Sequence, residues 1–106
     1  MSRLEKIRAL LQADPQDTFL RYALAMELKS TNQYDESRQV FEDLMRGSPP
    51  HVPSFFMCGQ MFVEQELVND ARSVLRVGIE EARKQGDSHA AGEMSEFLSS
   101  LGGLGE

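Results

Sequence analysis

The side chains best suited to chemistry are few: His51, Cys58 and His89 are the only imidazoles and the only thiol in the chain. A thiolate nucleophile needs a base within hydrogen-bond reach and a setting that lowers its pKa. Cys58 falls at an apolar helix position, His51 lies in a turn beside Pro50 and Pro53, and His89 belongs to a helix far downstream. The spacing therefore predicts a structural cysteine. His89 and Glu93 are four residues apart on one helix face and could share a metal, but no third ligand stands at suitable spacing. They read as a surface pair. Asp35 and Glu36 favour a helix N-terminal dipole, Glu42 and Asp43 read as solvated, and Glu80-Glu81 with Arg83-Lys84 support pairing along a helix. No glycine-rich loop is present to cradle a phosphate. Gly102-Gly103 ends the last helix, with Leu104 expected to fold back on it. The expectation is a protein that is not an enzyme and that uses no cofactor and no metal.

What must position side chains here is a helical scaffold. The chain has 106 residues, 41% hydrophobic and 26% charged, which suits one soluble domain with a modest core. Its net charge is −6, with 17 acidic against 11 basic residues, so neither a nucleic acid nor an anionic membrane is an expected partner. Residues 86–106 carry Asp87, Glu93, Glu96 and Glu106 and no Lys or Arg, and read as a solvated acidic end rather than a site for a basic partner. A single cysteine precludes an intrachain disulfide and fits a reducing compartment. The opening MSRLEKIRALL mixes charges among its leucines and lacks the apolar run of a signal peptide. No stretch approaches the roughly 20 apolar residues of a membrane span. A cytoplasmic location follows as the expectation.

Six helices are predicted. Ser2 and Glu5 form a capping box, followed by Leu4, Ile7, Leu10 and Leu11 at helical spacing, and Asp14-Pro15 ends that helix. Asp17 caps a second helix to about Lys29. After the turn Ser30-Thr31-Asn32, a third ends near Arg46-Gly47, with Gly47 expected as a left-handed C-cap and Pro49-Pro50 blocking continuation. Pro53 suits the first turn of a fourth helix reaching about Gln65. A fifth runs from Val68 toward Gln85, capped by Gly86, and Asp87 or Ser88 starts a sixth through Ser100. No alternating run reads as a strand.

A shift of 34 residues maps the chain onto itself without a gap. Pro15 falls on Pro49, Leu24-Ala25 on Cys58-Gly59, Leu28 on Phe62, Ser37 on Ala71, Arg38 on Arg72, Val40 on Val74 and Phe41 on Leu75. Small residues meet small ones and large apolar residues meet large apolar ones. Ala25 and Gly59 supply close approach, with Ser37 and Ala71 on the partner helix. Leu24, Leu28, Phe41, Leu44, Phe55, Cys58, Phe62, Val74, Leu75 and Ile79 are the expected filling.

Two helices per 34-residue unit resemble the tetratricopeptide repeat family. The family pattern reads as Arg21-x2-Leu24-Ala25-x2-Leu28, Ser37-x3-Phe41 and Pro49. It reads again as Phe55-x2-Cys58-Gly59-x2-Phe62 and Ala71-x3-Leu75, with Arg83 in place of proline. Arg21 stands where the family has a bulky aromatic, so that slot is expected to be poorly filled or its stem to snorkel. Arg83 allows a longer fifth helix. The resemblance implies one all-α domain, a right-handed superhelical array of antiparallel helix pairs. Residues 2–15 would form a half repeat, 18–51 and 52–85 two full repeats, 87–100 a capping helix and 101–106 a tail.

The resemblance also implies a concave face lined by the first helix of each pair. That face would carry Phe19, Tyr22, Met26 and Lys29, then Phe56, Gln60 and Val63, at spacings of three and four that make stripes. An apolar, aromatic stripe is a candidate peptide groove; packing or a second subunit could equally cover it. Some family members clamp a partner's terminal carboxylate with Lys, Arg and Asn. The matching positions here hold Tyr22, Met26, Phe56 and Gln60, with Lys29 the only cation nearby, which disfavours that partner. The expected function is a protein–protein interaction module, an adaptor or scaffold for a protein or peptide partner. The alternative is a structural module that forms a homodimer through its groove or end helices.

Overall fold

The computed structural model describes residues 1–102. Its six α-helices are α1 (Arg3–Ala13), α2 (Thr18–Ser30), α3 (Tyr34–Met45), α4 (Val52–Glu64), α5 (Val68–Lys84) and α6 (Ser88–Ser100), and no strand occurs among the described residues. Gly103 and Leu104, with the contact expected of Leu104, lie outside the described residues.

Side-chain oxygens start three of the helices. Ser2 Oγ accepts from the Glu5 N–H at 3.1 Å while Glu5 Oε1 accepts from the Ser2 N–H at 2.9 Å. The backbone and then the hydroxyl of Ser2 hold the Glu5 carboxyl below its ordinary pKa. Asp17 Oδ1 accepts from Leu20 N–H at 2.8 Å, and Asp87 Oδ1 from Ala90 N–H at 3.0 Å. Each satisfies a donor the helix itself leaves unpaired.

Helices α2, α4 and α5 stop by one device. The residue two past the last helical position adopts a left-handed backbone: Asn32 at φ 62°, Glu66 at φ 62° and Gly86 at φ 76°. The next N–H then reaches back to a late helix carbonyl: Gln33 to Leu28, Leu67 to Phe62 and Asp87 to Ala82, all at 2.8 Å. Asn32 and Glu66 stand one 34-residue period apart, so the period is written in backbone angles as well as side-chain sizes.

The end of α3 differs from the sequence expectation. Arg46 caps it at φ −89°, and Gly47 is not left-handed. Gly47 is needed for space, since a Cβ there would lie 3.2 Å from both Leu44 O and Pro49 O. The Leu44 carbonyl accepts from Gly47 N–H at 3.2 Å and from His51 N–H at 3.0 Å, folding the proline segment back under the helix. Without a proline at position 83, α5 runs 17 residues against 12 for α3. Its last turn pairs Arg83 with Glu80 at 3.2 Å and Lys84 with Glu81 at 3.7 Å.

Each helix packs on its sequence neighbours, and α4 also touches α2 and α6, so α2, α4 and α6 form one layer and α1, α3 and α5 the other. The Cα extents of 43 × 30 × 18 Å fit two helix layers. Apolar burial falls into linked groups. Ile7, Leu24 and Leu28 join α1 to α2; Ala25, Phe41, Cys58 and Met61 join α2, α3 and α4. Val52, Phe55, Leu75, Ile79 and Met94 anchor the largest group, across α4, α5 and α6. Two expected fillers, Phe62 and Val74, are only half-buried, and Met61, not anticipated, is fully buried. Helix α4 turns Met61 toward Phe41 and leaves Phe62 at the edge of its contact with α5.

Close approaches fall at the small residues. A Cβ on Gly59 would meet Leu75 Cδ2 at 2.8 Å. Gly78, unremarked in the sequence, is tighter: its Cβ would lie 2.5 Å from Phe55 Cβ and 2.7 Å from Met94 Sδ. Ser37 Oγ, fully buried, donates to the Ala25 carbonyl at 2.7 Å, so the polar member of the seam is satisfied. Buried Arg72 donates to Leu101 O at 2.7 Å and to Asn69 Oδ1 at 2.9 Å, tying the end of α6 to α5.

Because Glu66 holds a left-handed backbone that L side chains resist, Glu66→Gly is expected to raise stability by about 1 kcal/mol. Gly86→Ala, where no atom lies within 4 Å of the added Cβ, is expected to lower it by a similar amount through the backbone alone. Urea-unfolding midpoints of the two variants check both signs.

Candidate peptide groove

The α2–α4–α6 layer brings together side chains from helices far apart in sequence. Tyr22 of α2 is half-buried. Its ring meets Phe41 edge-on, centroids 6.2 Å apart, and His51 at 4.9 Å. Phe56 of α4 lies against Phe97 of α6, centroids 5.7 Å apart and planes at 59°. A cleft of about 250 Å³ is lined by Tyr22, Phe56 and Met57 together with Asp87, His89 and Glu93. A neighbouring cleft of about 350 Å³ is lined by Phe56, Phe97, Glu93, Glu96 and Ser100. The two share Phe56 and Glu93, and so form one surface running from Tyr22 to Phe97.

The sequence-derived stripe is distributed unevenly over this layer. Tyr22 and Phe56 line the same cleft. Met26 packs on the Ala25–Phe41–Cys58 group, Val63 on the large group, and Gln60 is half-buried. Lys29 Nζ sits 2.6 Å from Glu64 Oε1, so its charge is already matched within the protein. Phe19 is 77% exposed and lines neither cleft. The sequence reading missed Phe97 and did not set the acidic residues of α6, Glu93 and Glu96, beside the stripe. A second 34-residue step would have found Phe97: Tyr22 leads through Phe56 to Ala90, and Lys29 through Val63 to Phe97.

Burial raises the Tyr22 pKa, so the phenol stays neutral and able to donate. Burial, with the Arg21 guanidinium second, lowers the His51 pKa. The His51 Nδ1 lies 2.8 Å from Ser54 Oγ. Arg21 itself is half-buried where the family pattern has an aromatic. The Cys58 thiol is pushed up to about 12, chiefly by burial and then by the Glu42 carboxylate, with Arg38 opposing. Among the described residues, no three His, Cys, Asp or Glu side chains group as a metal site would require. His89 Nε2 stands 3.4 Å from Glu93 Oε1 on the surface of α6.

A further cleft, of about 430 Å³, opens between α3 and α5. Phe55, Phe62, Met45 and Val74 form its apolar surface, and Glu42, Arg46, Asp70 and Glu81 its charged margin. The half-burial of Phe62 and Val74 belongs to this opening. No helix among the described residues is long and apolar enough to cross a membrane.

Paired antiparallel helices stacked in two layers, with one 34-residue step relating both turns and seams, define an all-α helical-repeat protein. The solution structure of a tetratricopeptide repeat domain protein from Salinibacter ruber is 30% identical in sequence, with a TM-score of 0.79 over 86% of this chain and 92% of that one. A solution structure of a protein from Bordetella parapertussis shares the fold at 20% identity, with a TM-score of 0.82 over 96% of this chain and 89% of that one. No protein-family model and no curated protein matches the sequence. The chain belongs to the tetratricopeptide repeat family, and its fold is that of a protein-interaction module.

Two titrating groups yield measurable outcomes. Cys58 is expected to resist a thiol reagent at mildly alkaline pH in the folded protein and to react at once in denaturant, as counted by thiol titration. The unfolded chain protonates His51 before the folded protein does, because the folded pKa is lowered. The stability it contributes is complete above about pH 6.5 and is lost as the pH falls through the folded pKa. Urea midpoints should therefore drop on acidification, and His51→Gln should shrink that drop.

Proposed function

We propose that this protein is a non-enzymatic adaptor that binds a peptide segment of a protein partner along the α2–α4–α6 face. In this reading residues 18–51 and 52–85 are the two full repeats, 2–15 the half repeat and 87–100 the cap. The observation that carries it is the aromatic row Tyr22, Phe56 and Phe97, drawn from three helices and left partly open over two adjoining clefts. Aromatic anchors of low conformational entropy are what interaction hot spots use. Within the stripe Phe19, Tyr22, Met26, Lys29, Phe56, Gln60 and Val63, the central roles go to Tyr22 and Phe56. Met26, Gln60 and Val63 shape the surface, Lys29 fixes α2 to α4 through Glu64, and Phe19 stands at the margin. The single buried thiol suits a reducing, cytoplasmic setting.

A homodimer is the rival reading, and Phe19, exposed at the start of α2, is the residue that favours it. Sedimentation velocity across a range of concentrations separates the two. A monomer whose captured peptides depend on the groove supports the adaptor; a concentration-dependent dimer lost in Phe19→Ser supports self-association. Tyr22→Ala combined with Phe56→Ala is expected to weaken peptide capture at least tenfold, by calorimetry, while circular dichroism retains the helical signal. Unchanged capture by a folded double variant would remove the groove from the account.

A further inference from the structure

The charges around the groove are one-sided. Neither α4 nor α6 carries a Lys or Arg. Asp87, Glu93 and Glu96 nevertheless stand along the two clefts that meet at Phe56. Glu96 is exposed, and the side chain of Glu93 is 51% exposed with a histidine as its pairing partner. Lys29, on the same layer, is engaged by Glu64. Several carboxylates elsewhere have permanent cations beside them, as Arg8 stands 3.0 Å from Glu36 and Arg3 3.6 Å from Glu27. An aromatic floor beside a carboxylate margin offers a cation two favourable contacts at once: the π face of Phe56 or Phe97 and a charge-assisted hydrogen bond to Glu93 or Glu96.

Resting on the groove reading above, we infer that the occupant of this face is a basic peptide segment. It places an apolar side chain between Tyr22 and Phe56, and a Lys or Arg along Phe56 and Phe97 toward Glu93 and Glu96. Complementary charge would steer encounter and exclude acidic segments, which meet like charge at Glu93 and Glu96. This is opposite in sign to the carboxylate clamp weighed and set aside on the sequence.

The test is selection from a random 12-residue display library against the immobilised full chain. Three forms of the chain are used: wild type, Glu93→Gln with Glu96→Gln, and Tyr22→Ala with Phe56→Ala. Both glutamines replace exposed side chains, and circular dichroism confirms that each variant is folded. Wild type is expected to enrich peptides with Lys or Arg near a large apolar residue, and added salt to weaken the chosen peptides about tenfold. The glutamine variant should keep the apolar preference and lose the basic one; the alanine variant should lose both. Neutral or acidic peptides selected by wild type, or a basic preference that survives the glutamine changes, would overturn the charge assignment and leave the groove standing. No enrichment by wild type, or enrichment untouched by the alanine changes, would overturn the groove and this inference with it.

Discussion

The structure depends on how closely paired helices can approach. At Gly59 the Leu75 side chain occupies the space of a missing Cβ, and at Gly78 the Phe55 Cβ and Met94 sulfur do the same. At the first hairpin the approach is close enough for the Ser37 hydroxyl to bond the Ala25 carbonyl across the interface. Large side chains interdigitate only because these positions are small. An added methylene there would force side chains from their rotamers at a cost of about 1–3 kcal/mol. The turns serve the same constraint, since the left-handed residues at 32 and 66 reverse the chain within a few residues and set the partner helix directly against its predecessor.

The proposed peptide face is a by-product of that arrangement. A helix pair that buries one stripe against its partner and another against the next pair leaves a third facing away from both. On α2, α4 and α6 this third stripe is the row that runs from Tyr22 to Phe97. Phe56 and Phe97 pack on each other and Tyr22 on Phe41 and His51, which would lower the conformational entropy a partner on this face has to remove. The acidic margin comes from α6, whose polar side faces solvent at the end of the stack.

Much of this was legible in the sequence because size and period are one-dimensional properties. The 34-residue shift located the hairpins, the seam at Ala25, Ser37, Gly59 and Ala71, and the equivalent positions of Tyr22 and Phe56, which line one cleft. Ser2, Asp17 and Asp87 announced helix starts because capping is local. What escaped depended on backbone angle or on three bodies meeting. Gly47 looked like a left-handed cap, yet the left-handed residues are Asn32, Glu66 and Gly86, and glycine serves at 47 to admit two carbonyls. Met61 and Phe62 are adjacent and both apolar; only the crossing of α4 with α3 and α5 decides which is sealed. The importance of Gly78 required knowing that α4, α5 and α6 converge there. Lys29 could be placed on the stripe, but its engagement by Glu64 joins two helix ends whose separation the sequence does not state.

The three apolar groups described above are unequal. The smallest, Ile7 with Leu24 and Leu28, seals α1 onto α2 with only half-buried Leu4 and Leu11 at its rim, whereas α5 is gripped from both sides. Local opening should therefore start at the N-terminal end and travel inward, giving a gradient of amide hydrogen exchange from α1 toward α5. The groove lies toward the slow-exchanging end. The protein can fray at one terminus while the proposed peptide surface keeps its shape.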